Sequence, residues 1–145
     1  MNRRTLRGRV DANDERRRLI IDDGRVNHGF KIVAFHIIST NPGTSAADAY
    51  GSLATESDAA TSVWNLDDNR QIAWAGQNIQ GTAAPSNQFS LIDPDHVVIT
   101  DLFVCGRGGT GATAEGYQYL VELEPIELTD NQAVIQLIKE SAQDD

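Results

Sequence analysis

Apolar and polar positions alternate along most of this chain with the two-residue period of β-strands. The run over residues 28–38 is dense in β-branched and aromatic side chains on both faces, which predicts a central strand covered on two sides. Residues 117–128 alternate apolar and polar side chains, as a half-exposed strand does. In all, we predict strands at residues 6–10, 17–22, 28–38, 50–55, 70–75, 96–105 and 117–128.

Helical spacing is confined to the C-terminal segment. Thr129 is a candidate N-cap, and Gln132 three residues later completes a capping-box pattern. Apolar residues then recur at helical spacing, which predicts a helix over 130–141. One helix after a series of strands favours a mainly β fold over alternating βαβ units. We therefore expect an antiparallel β-sandwich, jelly-roll-like, with one C-terminal helix. The length of 145 residues suits a single sandwich domain over 19–145.

Charge sets the first eighteen residues apart from the rest. They hold seven arginines and three acidic residues, a net +4, whereas the remaining 127 residues carry −13. This asymmetry predicts a basic N-terminal arm or hairpin over 1–18 that contacts a neighbouring copy. A solvated hairpin whose arginines keep an edge strand soluble is the alternative. The candidate interface residues are Arg3, Arg4, Arg7, Arg9, Arg16, Arg17 and Arg18.

Composition excludes several classes of protein. The net charge of −9 argues against nucleic acid as a partner, because such binding depends on neutralising phosphates. No apolar run approaches the ~18 residues needed to cross a bilayer, so we expect no membrane partner. A single cysteine, Cys105, makes neither an internal disulfide nor a thiolate zinc site.

The segment 106–111 matches the G-x-G-x-x-G pattern of dinucleotide-binding loops. That pattern requires a following helix, whose N-terminus holds the pyrophosphate. Here the following residues alternate like a strand, and Gly116 interrupts them. We therefore interpret the segment as a hairpin loop and predict no cofactor.

Titratable residues show no catalytic or metal-binding spacing. His28 and His36 stand apart, and His36 lies on an apolar face where a core or interface histidine is expected. Asp93 and Asp95 flank a proline, and this pattern favours a turn over a cation site. Cys105 ends an apolar strand, where a thiol is usually buried and inert. We predict no catalytic residue and no metal.

Aromatic side chains are too few for a sugar-binding face built on stacked rings. They make up 6% of the chain. We interpret the main candidates as core or interface anchors, namely Trp64, Trp74, Tyr117 and Tyr119.

Four segments, spread loosely over residues 20 to 143, give the chain a resemblance to a known class of proteins. They are IDDGRVNHGFKIVAF, NRQIAWA, DPDHVVITDLFV and YLVELEPIELTDNQAVIQLIKESAQ. Their overall pattern resembles small virion structural proteins of tailed bacteriophages from marine and related bacteria. The resemblance implies a non-enzymatic capsid decoration (cement) protein, or a tail component. It further implies a homotrimer that binds the major capsid protein at the virion surface.

A different class remains open beside it. Small hydrolases and carbohydrate-binding domains are also built on jelly-roll frames. In that case Asp93, Asp95 and His96 are the candidate site residues.

Overall fold

The computed structural model describes residues 3–21, 28–40, 48–78, 87–108, 116–129 and 135. Within this part of the chain, eight strands are present. They are β1 (Arg4–Val10), β2 (Arg17–Leu19), β3 (His28–Ser39), β4 (Ala49–Ala54), β5 (Gln71–Asn78), β6 (Asn87–Ile92), β7 (Leu102–Gly108) and β8 (Tyr117–Glu127). A 3₁₀ turn, Ser57–Ala59, follows β4. The described residues include no helix with the length and apolar composition that crossing a membrane requires.

The strands form two antiparallel sheets, in the orders β1-β8-β3 and β2-β7-β4-β5-β6. The pairing is nested: β1 pairs with β8, β2 with β7 and β4 with β5. Val98, which precedes β7, bridges Phe30 of β3 and completes the series. This nested pairing is that of a jelly roll, with β6 added as a hairpin on β5. The predicted antiparallel β-sandwich is confirmed. The helix predicted over 130–141 lies outside the described residues except for Ile135.

Apolar side chains from both sheets fill the space between them. Val121 and Leu123 of β8 meet Leu53 of β4 and Val104 of β7 in one buried cluster. Along β8, buried and partly exposed positions alternate, because the strand has one face on this core and one outside.

The relative places of β3 and β8 differ from the prediction. β8 is the middle strand of its sheet, and β3 lies beside it, where its other side is bridged at Phe30 to Val98. A bulge explains the two-faced pattern of β3: Ile32 pairs with Leu123, but Phe35 pairs with Val121. Three residues of β3, 32–34, therefore lie opposite two residues of β8, 122 and 123. As a result, even-numbered Ile32 before the bulge and odd-numbered Phe35 after it face the same core. The prediction that β3 is central and covered on both faces is wrong.

The described part of the basic segment, residues 3–18, is built into the sandwich. β1 lies at the edge of the smaller sheet and β2 at the edge of the larger one, so the two strands do not pair with each other. Leu6, Gly8 and Val10 are the more buried positions of β1, and the residues between them are exposed. Because arginines occupy most of the exposed positions, the strand has little apolar character in sequence.

Candidate functional site

Arginines of β1 lie on the outer face of the three-stranded sheet, beside side chains of β8 and β3. Arg7 is opposite Leu120, and Leu120 is opposite His36, so the three form one row across the sheet. Arg9 and Ile38 lie in the next row on the same face. The rows line a cleft of about 530 Å³. We call this surface the basic face, defined by Arg7, Arg9, His36, Ile38 and Leu120.

The two arginines of the basic face remain accessible to a partner. Arg7 makes no hydrogen bond or ion pair with any described residue. Arg9 donates to Asp11 at 2.7 Å, but both side chains are exposed, and such pairs contribute little to stability. Partly buried Ile38 and Leu120 add apolar surface beside them. The face therefore offers forked cationic donors next to apolar area, a combination common at protein interfaces.

The arginines around β2 contact the protein itself. Arg18 donates through Nε to Asp101 at 2.7 Å and forms a second hydrogen bond to the same carboxylate. That carboxylate, whose side chain is 10% exposed, also accepts the backbone N–H of Ile21. Arg16 donates to the carbonyl of Ala60 at 2.7 Å and so fixes the loop after β4. Arg18 and Arg16 thus stabilise contacts between β2 and distant parts of the chain.

Of the remaining candidate arginines, some contact the protein itself and one is accessible. Arg3 pairs loosely with Glu122 at 3.4 Å, and Arg4 donates to the carbonyl of Ile20 at 3.1 Å. Arg17 is exposed and forms no ion pair with a described residue. Of the seven predicted residues, Arg7 and Arg9 lie together over the cleft of the three-stranded sheet.

The glycines of the 106–111 motif have a structural explanation. Gly106 and Gly108 belong to β7, while 109–111 lie outside the described residues. A Cβ on Gly108 would lie 2.0 Å from the carbonyl oxygen of Gly116, and one on Gly106 would lie 3.0 Å from the ring of Tyr117. Both positions therefore require glycine for close packing of β7.

The buried thiol and phenol beside this motif act as core groups. Burial raises the pKa of Cys105 to about 11, so that little thiolate exists at neutral pH and the thiol is a poor nucleophile. Burial also raises the pKa of Tyr117, whose hydroxyl donates to the carbonyls of Glu15 and Val104. These bonds tie the turn before β2 to the core.

The group Asp93, Asp95 and His96 forms a turn after β6. The carboxylate of Asp93 accepts the backbone N–H of Asp95 at 3.0 Å, and His96 is buried. Across the described ranges, no three His, Cys, Asp or Glu side chains come together as ligands for a metal.

The four aromatic candidates differ in burial. Trp74, Tyr117 and Tyr119 are buried. Trp64 is only partly buried and meets the ring of Phe89 edge to face, with ring centroids 5.2 Å apart. Sequence reasoning did not single out Phe89, since the segment around it carries no regular alternation.

No protein-family model, curated protein or solved structure matches this chain. Because a β-sandwich supports many unrelated functions, the function has to be argued from the surfaces described above.

Proposed function

We propose that this protein is a non-enzymatic structural protein of a tailed-bacteriophage virion, acting as a capsid decoration protein. In this role it associates with copies of itself and binds the major capsid protein at the shell surface. The sequence resemblance to small virion proteins suggests this role, and the basic face supplies a surface for it.

The observation that carries the proposal is the pair of accessible guanidinium groups on the basic face. Arg7 and Arg9 project from β1 over a cleft that also exposes apolar area, on a chain whose residues 19–145 carry −13. A neighbouring copy therefore presents an acidic surface to this face. Arginine forks bind carboxylates at two points, which orients one protein on another as well as attracting it.

This complementarity also supports a closed ring. A basic face that meets the acidic body of the next copy is a contact between two different patches. Contacts of that kind generate rings when the rotation closes, and a homotrimer is a small ring of this type. The same basic and apolar surface would serve a tail structural component, for which only the location in the particle differs.

The proposal is tested by the mass of the purified protein and by its co-sedimentation with emptied capsids of the phage whose genome encodes it. We expect a particle of three 15.8 kDa chains that co-sediments with the capsids. The double substitution Arg7→Gln with Arg9→Gln should reduce both signals at least tenfold. Arg17→Gln, which removes an exposed charge outside the basic face, is the matched control.

A strict monomer that remains in the supernatant would overturn the proposal. Co-sedimentation with tails alone would replace the decoration role with the tail role. Capsid binding that does not weaken between low salt and about 1 M salt, where charges are screened within ~3 Å, would contradict the part assigned to the arginines.

A further inference from the structure

Among the described strands, four lie at the edges of the sheets, and three of these carry positive charge. β1 and β3 are the edges of the smaller sheet, and β2 and β6 are those of the larger one. β1 and β2 present exposed arginines, while β3 contains Lys31 and is bridged to Val98. Charged side chains and covering segments usually protect an edge from pairing with another chain. β6 contains no charged residue and no proline, so its own side chains give no such protection.

The register of β6 shows which of its backbone groups face outward. The N–H of Asp93, the residue after β6, donates to the carbonyl of Ile72 at 2.9 Å. In an antiparallel pair, alternate residues bond to the neighbouring strand. The odd-numbered residues of β6 therefore bond to β5, and the even-numbered ones direct their N–H and C=O groups away from it. These even-numbered residues are Gln88, Ser90 and Ile92. Their outward groups form no hydrogen bond with another described residue.

Exposed apolar side chains lie along this open edge. Residues 88–91 are all exposed, Phe89 at 47% and Leu91 at 52%. Ile92 packs against the core, so the odd-numbered Phe89 and Leu91 lie on the outer face of the sheet. There the ring of Phe89 meets Trp64 edge to face, with ring centroids 5.2 Å apart. Large apolar side chains grouped at an exposed edge mark an interaction surface.

β6 is complementary to itself in an antiparallel pair centred on Ser90. In this register Ser90 lies opposite Ser90 of a second copy, and Gln88 lies opposite Ile92. Every outward N–H and C=O group of the two strands then has a partner across the pair. Phe89 lies opposite Leu91 at the positions between, where the Cα atoms of an antiparallel pair come within ~4.5 Å. Aromatic and aliphatic side chains at such positions stabilise the pairing.

We propose that β6 pairs with β6 of a second copy, antiparallel about Ser90, and so joins two five-stranded sheets edge to edge. The neutral strand favours a second copy as the occupant, because the chain carries −9 and two copies repel each other elsewhere. A twofold contact brings identical segments together, so a charge at its centre would face a like charge. The contact does not use the basic face and does not rest on the proposed function. If both contacts form, β6 joins one ring to another.

The register is tested by disulfide formation in Ser90→Cys under oxidising conditions. The centred pair places the two Cα atoms ~5.5 Å apart, which a disulfide spans. We expect a covalent dimer on a non-reducing gel, formed at least tenfold faster than with Asp58→Cys. Asp58 is the matched control because its side chain is 75% exposed and lies outside β6. The native thiol, Cys105, is buried and leaves the background low. Equal rates for the two variants would overturn the pairing.

The contact in the native chain is tested by sedimentation at rising protein concentration. Because the paired strip is shorter than a standard interface of ~800 Å² per partner, we expect association that becomes visible as the protein is concentrated. The mass of the particle should then double. Leu91→Lys, which puts a charge on the edge, should weaken the doubling at least tenfold. Ser90→Pro should do the same, since it removes an outward N–H and leaves the bonds to β5 in place. Leu66→Lys, at a leucine that is 64% exposed outside β6, is the matched control.

The double substitution Arg7→Gln with Arg9→Gln separates this contact from the proposed ring. We expect this protein to go from monomer to dimer as it is concentrated, because its β6 edge is unchanged. A wild-type mass that never doubles would overturn the β6 contact and leave the ring untouched. Doubling that survives both Ser90→Pro and Leu91→Lys, or that is lost in the Arg7 and Arg9 variant, would also overturn the assignment to β6. Circular dichroism and thermal melting verify that each variant is folded.

Discussion

Two arginines near the start of the chain, Arg7 on β1 and Arg18 on β2, lie in similarly basic strands and differ in what their side chains contact. Arg18 beside β7 meets a buried carboxylate, Asp101, and two hydrogen bonds hold it there. Arg7 on β1 faces outward and has no partner among the described residues. The density of positive charge is similar in both strands. What separates a structural arginine from an available one is a buried acceptor contributed by a distant part of the chain.

The largest effect on stability is expected from removing β1. Deletion of residues 1–9 should lower the free energy of unfolding by about 3 kcal/mol or more, because the core loses Leu6 and β8 loses a whole neighbour. Chemical denaturation monitored by circular dichroism measures the change. Arg7→Gln with Arg9→Gln in the full-length chain is the control, since it removes charge and keeps the strand. An unchanged midpoint after deletion would mean that residues 1–9 form a separate arm.

The structural role of Arg18 on β2 is tested by substituting its acceptor, Asp101. Asp101→Ala should lower the free energy of unfolding by about 2 kcal/mol, because it leaves the N–H of Ile21 and the guanidinium of Arg18 without their acceptor. Asp11→Ala, which removes the exposed partner of Arg9, should change stability by less than about 0.5 kcal/mol. Thermal melting of the two variants side by side gives the ranking. Equal effects would contradict the division of the arginines into two groups.

Local pattern predicted the architecture well where one face of a strand is apolar and the other polar. β8 is such a strand, and the β-sandwich follows from strands of this kind joined by turns. Pattern failed where a bulge mixes the parities, as between Ile32 and Phe35, and where a strand is exposed on both faces, as in β6. The run predicted over 96–105 becomes regular only at Leu102, since the bridge of Val98 to Phe30 draws the preceding residues toward the other sheet.

The candidate surfaces could be predicted only in part. The sequence identifies the arginines, and the alternation of β1 explains why Arg7 and Arg9 share a face. It does not show that Asp101 comes to Arg18 from 83 residues away, or that Trp64 meets Phe89. Both contacts depend on how the strands are ordered in the larger sheet. Long-range order of that kind has no local signature in one sequence.

The smallest expected effect is the salt dependence of two ion pairs, Arg9 with Asp11 and Arg18 with Asp101. In a double-mutant cycle, the coupling between Arg9 and Asp11 should be below about 0.5 kcal/mol at low salt, because both side chains are exposed. It should vanish near 1 M salt, where screening acts within ~3 Å. The coupling between Arg18 and Asp101 should be about 1 kcal/mol or more and should largely persist, since the carboxylate is buried and screening reaches such pairs less. Urea denaturation at both salt concentrations measures all four proteins of each cycle. If the Arg18 coupling disappeared together with that of Arg9, Arg18 would be a surface charge like Arg9, and it would again be a candidate for binding a partner.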